Sequence, residues 1–251
     1  MNIFKYDFGY AWIWNYGHLI PIIIFTVIGL LAWKFKWSRW IKGVSIFIVL
    51  WAAVALVIVQ YILCFNLPPK LPTNKFLTGG SGNVLDAGAG SGRSALMVLL
   101  GRPESHVVAM DFYKGYYGIP DNTPERLLAN ARLAGVQDRV EVKVGDIREI
   151  PLANNSLDAA VSVAVIDHMG PEGIKKSLAE IRRVLRPRGE FLLMVINNDV
   201  WIRFTYPFLV HHGYFGPKTS AAIWTGYLTG AGFNIVEQGT KPVTLYFLVS
   251  K

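Results

Sequence analysis

The chain has 251 residues, 52% of them hydrophobic, and a formal net charge of +8. That length allows one good-sized domain and an appendage. The single cysteine, Cys64, sits at the end of an apolar run; this excludes a disulfide framework and a thiolate metal site and argues against a cysteine nucleophile.

The apolar excess lies at the front. Six of the eight tryptophans precede residue 66, and Asp7 is the only acid there. Leu19 to Trp33 is a fifteen-residue apolar run, and Val44 to Leu63 is twenty residues without a charge. About twenty apolar residues in a helix cross the hydrocarbon core of a bilayer. Between the runs, Lys34, Lys36, Arg39 and Lys42 alternate with Trp37 and Trp40, a mixture that suits the headgroup region. A cleaved signal is disfavoured, because the charges follow the first run and no small-residue cleavage site is present. Residues 1–65 are therefore expected to form a membrane-anchoring hairpin of two hydrophobic helices, transmembrane or re-entrant. The positive charge points to a lipid bilayer rather than nucleic acid as the anionic partner. Residues 66–83, rich in proline and glycine, read as a linker.

From residue 84 apolar strands alternate with helical segments, which predicts a parallel sheet with helices on both faces. Strand one is Val84 to Asp86, and a helix opens near Ser91. Strand two runs from His106 to Asp111. The next helix has Thr123 as its cap and Pro124 at its first position. Strand three is Val140 to Asp146, and strand four Leu157 to Ile166. A helix with Ile174, Leu178, Ile181 and Leu185 on one face leads to strand five, Glu190 to Ile196. A last helix near residues 219–232 precedes two closely spaced strands, which should pair antiparallel.

Asp86, Gly88, Gly90 and Gly92 make D-x-G-x-G-x-G directly after a strand. Glycine tolerates positive φ and leaves no side chain between backbone and ligand. A helix N-terminus follows with free N–H groups, and nucleotide-like ligands bind at such strand ends. Asp111, at the end of strand two, can accept from ribose hydroxyls. A dinucleotide loop of an NAD-dependent oxidoreductase is the alternative, but its G-x-G-x-x-G spacing is not met, since Arg93 takes the last slot. Asp146 supplies a third strand-end acid.

Residues 84–251 resemble the class I S-adenosylmethionine-dependent methyltransferases. "VLDAGAGSG" is similar to that family's first motif and "VVAMD" to its second. "VGDIREIPLANNSLDAAVSV" resembles the adenine contact and fourth strand, and "LAEIRRVLRPRGEFLLMV" the helix and fifth strand. The resemblance is nearest to small-molecule enzymes of the ubiquinone-biosynthesis and sterol type, with "IDHM" where these often carry two adjacent histidines. It implies an α/β, Rossmann-like, seven-stranded, mostly parallel sheet with an antiparallel last strand, here preceded by two hydrophobic helices. It also implies S-adenosyl-L-methionine as cofactor. Asp86, Gly88, Ala89, Gly90 and Gly92 would line the methionine moiety, and Asp111, with Phe112 beside it, the ribose. Asp146 would accept from the adenine amino group, with Ile147 beside the ring. Asp167 and His168 would sit by the reacting methyl, His168 being the first choice of general base.

Tyr116 and Tyr117 lie in one aromatic-rich loop and His211 and His212 in another; both loops are candidates for an apolar acceptor pocket. The histidine pair alone is poor evidence for a metal, and none is expected. No Asn/Asp-Pro-Pro-aromatic motif follows strand four, which disfavours nucleic-acid methylation. The expected function is methyl transfer to a lipid or small hydrophobic acceptor at a membrane, with the catalytic part on the cytoplasmic side. The alternative is a non-catalytic, membrane-tethered sensor or scaffold that binds the same cofactor. Two full spans would place the four hairpin cations outside, against the positive-inside rule, which favours a re-entrant hairpin or an orientation imposed by the domain.

Overall fold

The computed structural model describes residues 5–114, 121–207 and 220–251. The seven strands are β1 (Ser81–Ala87), β2 (Glu104–Asp111), β3 (Val140–Val144), β4 (Leu157–Val163), β5 (Leu185–Ile196), β6 (Asn234–Lys241) and β7 (Thr244–Ser250). They form one sheet in the order β3-β2-β1-β4-β5-β7-β6. β1 pairs parallel with β2 and β4, and β7 runs antiparallel to both β5 and β6. The seven-stranded sheet with its antiparallel last strand is as the sequence led us to expect.

Side chains alternate across the sheet, so each strand feeds two cores. Phe191, Leu193 and Val195 of β5 face one core with Ile174, Leu178 and Ile181 of α6 (Pro171–Val184) and Trp224 and Leu228 of α8 (Ala221–Gly230). Leu192 and Met194 face the other, with Leu96 of α4 (Arg93–Gly101) and Leu127 and Ala131 of α5 (Pro124–Ala134). Thr123 caps α5 as expected, accepting from the Arg126 amide at 3.2 Å.

Several boundaries differ from expectation. β1 begins at Ser81, inside the stretch read as linker, and β2 at Glu104, two residues early. Leu185 does not close the apolar face of α6; it opens β5 and pairs with Leu157 before a register shift. β4 stops at Val163 because Ala164 takes a left-handed φ of 52°, and Ile166–His168 form a 3-10 turn. β3 stops at Val144, leaving Gly145 and Asp146 in the loop beyond it.

The front of the chain forms α1 (Trp12–Tyr16), α2 (Leu19–Lys34) and α3 (Arg39–Ile58), the last continuing through a π-type turn to Leu63. α2 and α3 are close-packed through small residues: Gly29 faces Ser45, and Ala32, Ala52 and Ala55 are fully buried. Arg39–Leu63 is one helix of 25 residues, long and apolar enough to cross a membrane. α2 has 16 residues, which at about 1.5 Å each gives roughly 24 Å, short of the ~30 Å hydrocarbon core. Two full spans are therefore not what the described residues provide; one helix is long enough.

The chain before β1 also enters the domain core. Phe8, 2% exposed, belongs to the same core as Leu96 and Leu127 and stacks on Tyr6 at 5.7 Å. Asn130 bonds both ways to the Asp7 backbone, accepting at 3.1 Å and donating at 2.6 Å. Phe76 is fully buried, and Arg102 donates to the carbonyls of Phe76 and Asn74 at 2.7 and 3.0 Å.

Candidate active site

In an open α/β sheet the crevice for ligands lies beyond the carboxyl ends of the strands, where the strand order reverses. Here that point falls between β1 and β4. The loop after β1 folds back on β2, with the amides of Gly88 and Ala89 both donating to the Met110 carbonyl at 2.8 and 3.0 Å. Gly88, Gly90 and Gly92 all have positive φ, of 90°, 51° and 90°. They are constrained differently. A Cβ at Gly88 would lie 2.4 Å from Val165, and one at Gly92 2.9 Å from Leu127, whereas one at Gly90 would meet no protein atom within 4 Å. Gly90 lines a cavity of about 610 Å³, so its missing side chain faces that open space.

The loop is tied to the end of β2 by charge. Asp111 Oδ2 accepts from the Gly90 amide at 2.9 Å, and its Oδ1 accepts from the Tyr113 amide at 2.8 Å and from Asn122 Nδ2 at 3.3 Å. A carboxylate offers about four acceptor positions, so a ribose hydroxyl can still be taken. Asp86 is fully buried behind the loop and accepts from the Ser94 hydroxyl at 2.7 Å. Burial, helped by repulsion from Asp111, pushes its carboxyl up to about 7, against the Ser94 bond and the Ala95 amide.

Gly88, Ala89, Gly90, Asp111, Phe112, Ile147 and His168 all line the one cavity. Asp86, Gly92, Asp146 and Asp167 do not line it themselves. Asp146 receives the Arg148 amide at 2.8 Å and its guanidinium Nε at 2.9 Å to each oxygen. Burial alone would raise the Asp146 carboxyl; Arg148 outweighs it and holds it below the usual value. Asp167 Oδ2 accepts from the Ile196 amide at 3.1 Å, joining the ends of β4 and β5. Tyr116, Tyr117, His211 and His212 lie outside the described residues. Among the described residues no cluster of His, Cys, Asp or Glu could hold a metal ion.

Several lining residues carry no motif that announces them. Arg148 stacks over Phe112 at 5.9 Å to the ring centre. Ser94 and Arg93 come from the first turn of α4, and Tyr10, Trp14, Leu63 and Phe65 from the hairpin end of the chain. Arg93 and Ser94 follow the glycine loop directly, which was the only sequence signal for them.

The residues present fit S-adenosylmethionine. Bare backbone at Gly88–Gly90 leaves room for the methionine portion, Asp111 has an acceptor position left for a ribose hydroxyl, and Phe112 and Ile147 offer apolar surface to an adenine. Residues 85–193 match the family model described as a methyltransferase domain. A protein of Encephalitozoon cuniculi named as a candidate methyltransferase is 38% identical over 113 residues, 45% of this chain and 44% of its own. Cyclopropane-fatty-acyl-phospholipid synthase of Escherichia coli is 29% identical over 132 residues, 49% of this chain and 31% of its own. The chain thus spans under half the length of these curated relatives. Among solved structures, an O-methyltransferase family 2 protein of Planctomyces limnophilus superposes with a TM-score of 0.55 at 20% identity, covering 80% of this chain and 60% of its own. Fold, switch-point loop and matched segment together define the class I S-adenosylmethionine-dependent methyltransferase fold.

Proposed function

We propose that the protein is a membrane-attached S-adenosylmethionine-dependent methyltransferase whose acceptor is a lipid or small hydrophobic molecule, with its catalytic domain on the cytoplasmic side. The observation that carries this reading is the Asp111–Gly90 bond. It fixes a ribose acceptor against a glycine whose missing Cβ opens the cavity. The resemblance of one segment to a fatty-acyl-phospholipid synthase supports the acceptor class.

When bound, the cofactor supplies an electrophilic methyl on a sulfonium. The protein's part is alignment and exclusion of water. Gly88 to Ser91 hold the amino-acid end and Asp111 the ribose. Phe112 and Ile147 enclose the base, and Asp146, which also receives Arg148, accepts from the adenine amino group. Val165 and Met169 keep the centre dry. His168, at the cavity wall, takes the proton of an acceptor that carries one when it attacks.

The test is to incubate the full chain in detergent with methyl-labelled cofactor and a total lipid extract. Label entering the organic phase is expected, and mass analysis of that phase names the acceptor. Tight cofactor binding with no transfer to any lipid or aqueous acceptor leaves a binding module and overturns the catalytic reading.

A further inference from the structure

The cavity has two unlike walls. One is the glycine loop and the strand ends. The other comes from the chain before residue 70, where Tyr10, Trp14, Leu63, Phe65 and Pro69 line it. These are the two feet of the hairpin: α1 leads into α2, and the π-type turn at Leu63 ends the long helix.

The feet are fixed to the site. Arg93, itself in the lining, donates from Nε to the Leu67 carbonyl at 2.9 Å and from Nη2 to those of Leu63 and Cys64 at 3.2 and 3.1 Å. Gln60 Nε2 donates to the Asn15 carbonyl at 2.7 Å, joining one foot to the other. The Tyr206 hydroxyl, at the end of α7 (Val200–Thr205), donates to the Trp14 carbonyl, and the two rings meet edge-on at 5.4 Å.

α7 also lies along the long helix. Trp51 Nε1 donates to the Phe204 carbonyl at 3.0 Å. Trp51 is the middle residue of Arg39–Leu63, so it stands about 18 Å along the axis from either end. A bilayer that covers this helix covers α7 too. Outward residues such as Leu30, Phe47 and Leu50, each more than 60% exposed, present it with apolar surface.

We propose that the hairpin feet are the acceptor-binding wall, and that the acceptor is an amphiphile drawn from the bilayer. Its apolar tail lies on Trp14, Leu63 and Phe65, and its polar head lies towards His168. The role of the head rests on the methyltransferase reading; the tail site does not. The hairpin is then part of the specificity of the site as well as its anchor.

The test uses the full chain in vesicles of phosphatidylcholine and phosphatidylglycerol in equal parts. The vesicles carry palmitic acid with a diazirine near its chain end. After illumination, adducts are mapped by mass spectrometry. Adducts on Trp14 and on Leu63 or Phe65 are expected beside those on outward residues of α2 and α3; adducts confined to the outward residues overturn the proposal. In parallel, Phe65→Ala should cut methyl transfer to the lipid extract about tenfold, the effect of losing one well-packed aromatic contact. The cofactor Kd should stay within about threefold, less than one such contact is worth. Transfer at the unaltered rate in both Phe65→Ala and Trp14→Ala also overturns it. Adducts on the wall without methylation of any acceptor support the tail site and overturn the methyltransferase reading.

Discussion

Ser94, in the first turn of α4, donates its hydroxyl to Asp86 Oδ2 at 2.7 Å, while Asp86 Oδ1 meets no donor among the described residues. A carboxylate with one oxygen satisfied and none of its surface in water is held close to its neutral form. Its carboxyl titrates near 7, against about 3.9 in an unfolded chain. A group whose pKa is raised on folding contributes stability that is fully present below the unfolded value. That stability is lost as pH rises through the folded one.

The ligand-free protein should therefore melt lower at about pH 8 than at about pH 5, the loss accumulating between the two pKa values of Asp86. Asp86→Asn keeps the shape and removes the titration, so its melting temperature should vary less over that interval. Thermal melts of both proteins across this range decide it. Parallel curves mean that Asp86 is not the group responsible.

Gly90→Ala and Gly88→Ala should part company. A methyl at Gly90 meets no protein atom, so folding should be nearly intact apart from roughly 1–2 kcal/mol of left-handed strain. Cofactor binding, however, should be lost. A methyl at Gly88 runs into Val165 and should lower stability itself, by about 1–3 kcal/mol of overpacking. Melting curves alongside calorimetric titration with S-adenosylhomocysteine separate the two. Normal binding by Gly90→Ala would refute the assignment of that space to ligand.

Asp111→Ala removes the acceptor of the Gly90 amide as well as the ribose partner. Each charge-assisted bond is worth about 1.5–3 kcal/mol, so the cofactor Kd should rise at least tenfold. Titration calorimetry on the full chain measures this, and an unaltered Kd would place the ribose elsewhere.

Phe8→Ala should cost about 3–5 kcal/mol, the range for emptying a buried aromatic site. Phe8 is 2% exposed and packs on the α4–α5 side of the sheet. A fragment beginning at Thr73 loses this contact and the Asp7–Asn130 bonds together, so it should unfold at lower denaturant than the full chain. Equal midpoints would show that residues 5–72 add nothing to the domain.

The parts of the fold written in periodic or local signals were legible. The spacing of Gly88, Gly90 and Gly92, the Thr123–Pro124 start of α5 and the short gap before β7 each state a local geometry. Signals that depend on distant partners were not. Phe8 is one aromatic among many at the front of the chain, and the core it joins, like the Asn130 that holds its neighbour Asp7, is far off in sequence. Arg93 acts on main-chain carbonyls, which no residue type advertises. Asp146 and Arg148 are adjacent enough to read, but which acceptor sites the guanidinium fills depends on a rotamer. β4 read too long because "SVAVI" stays apolar past Ala164, where a left-handed residue ends the strand without a glycine to announce it.

α7 has six residues and, like any helix, leaves its last carbonyls without partners inside the helix. Two of them are answered from the hairpin: Phe204 by the Trp51 indole at 3.0 Å and Thr205 by His18 Nε2 at 2.7 Å. Cutting the hairpin away therefore strips α7 of the donors that close its C-terminal end, and water must take both carbonyls instead. The cap of that short helix is written more than a hundred residues upstream, in side chains of the hairpin.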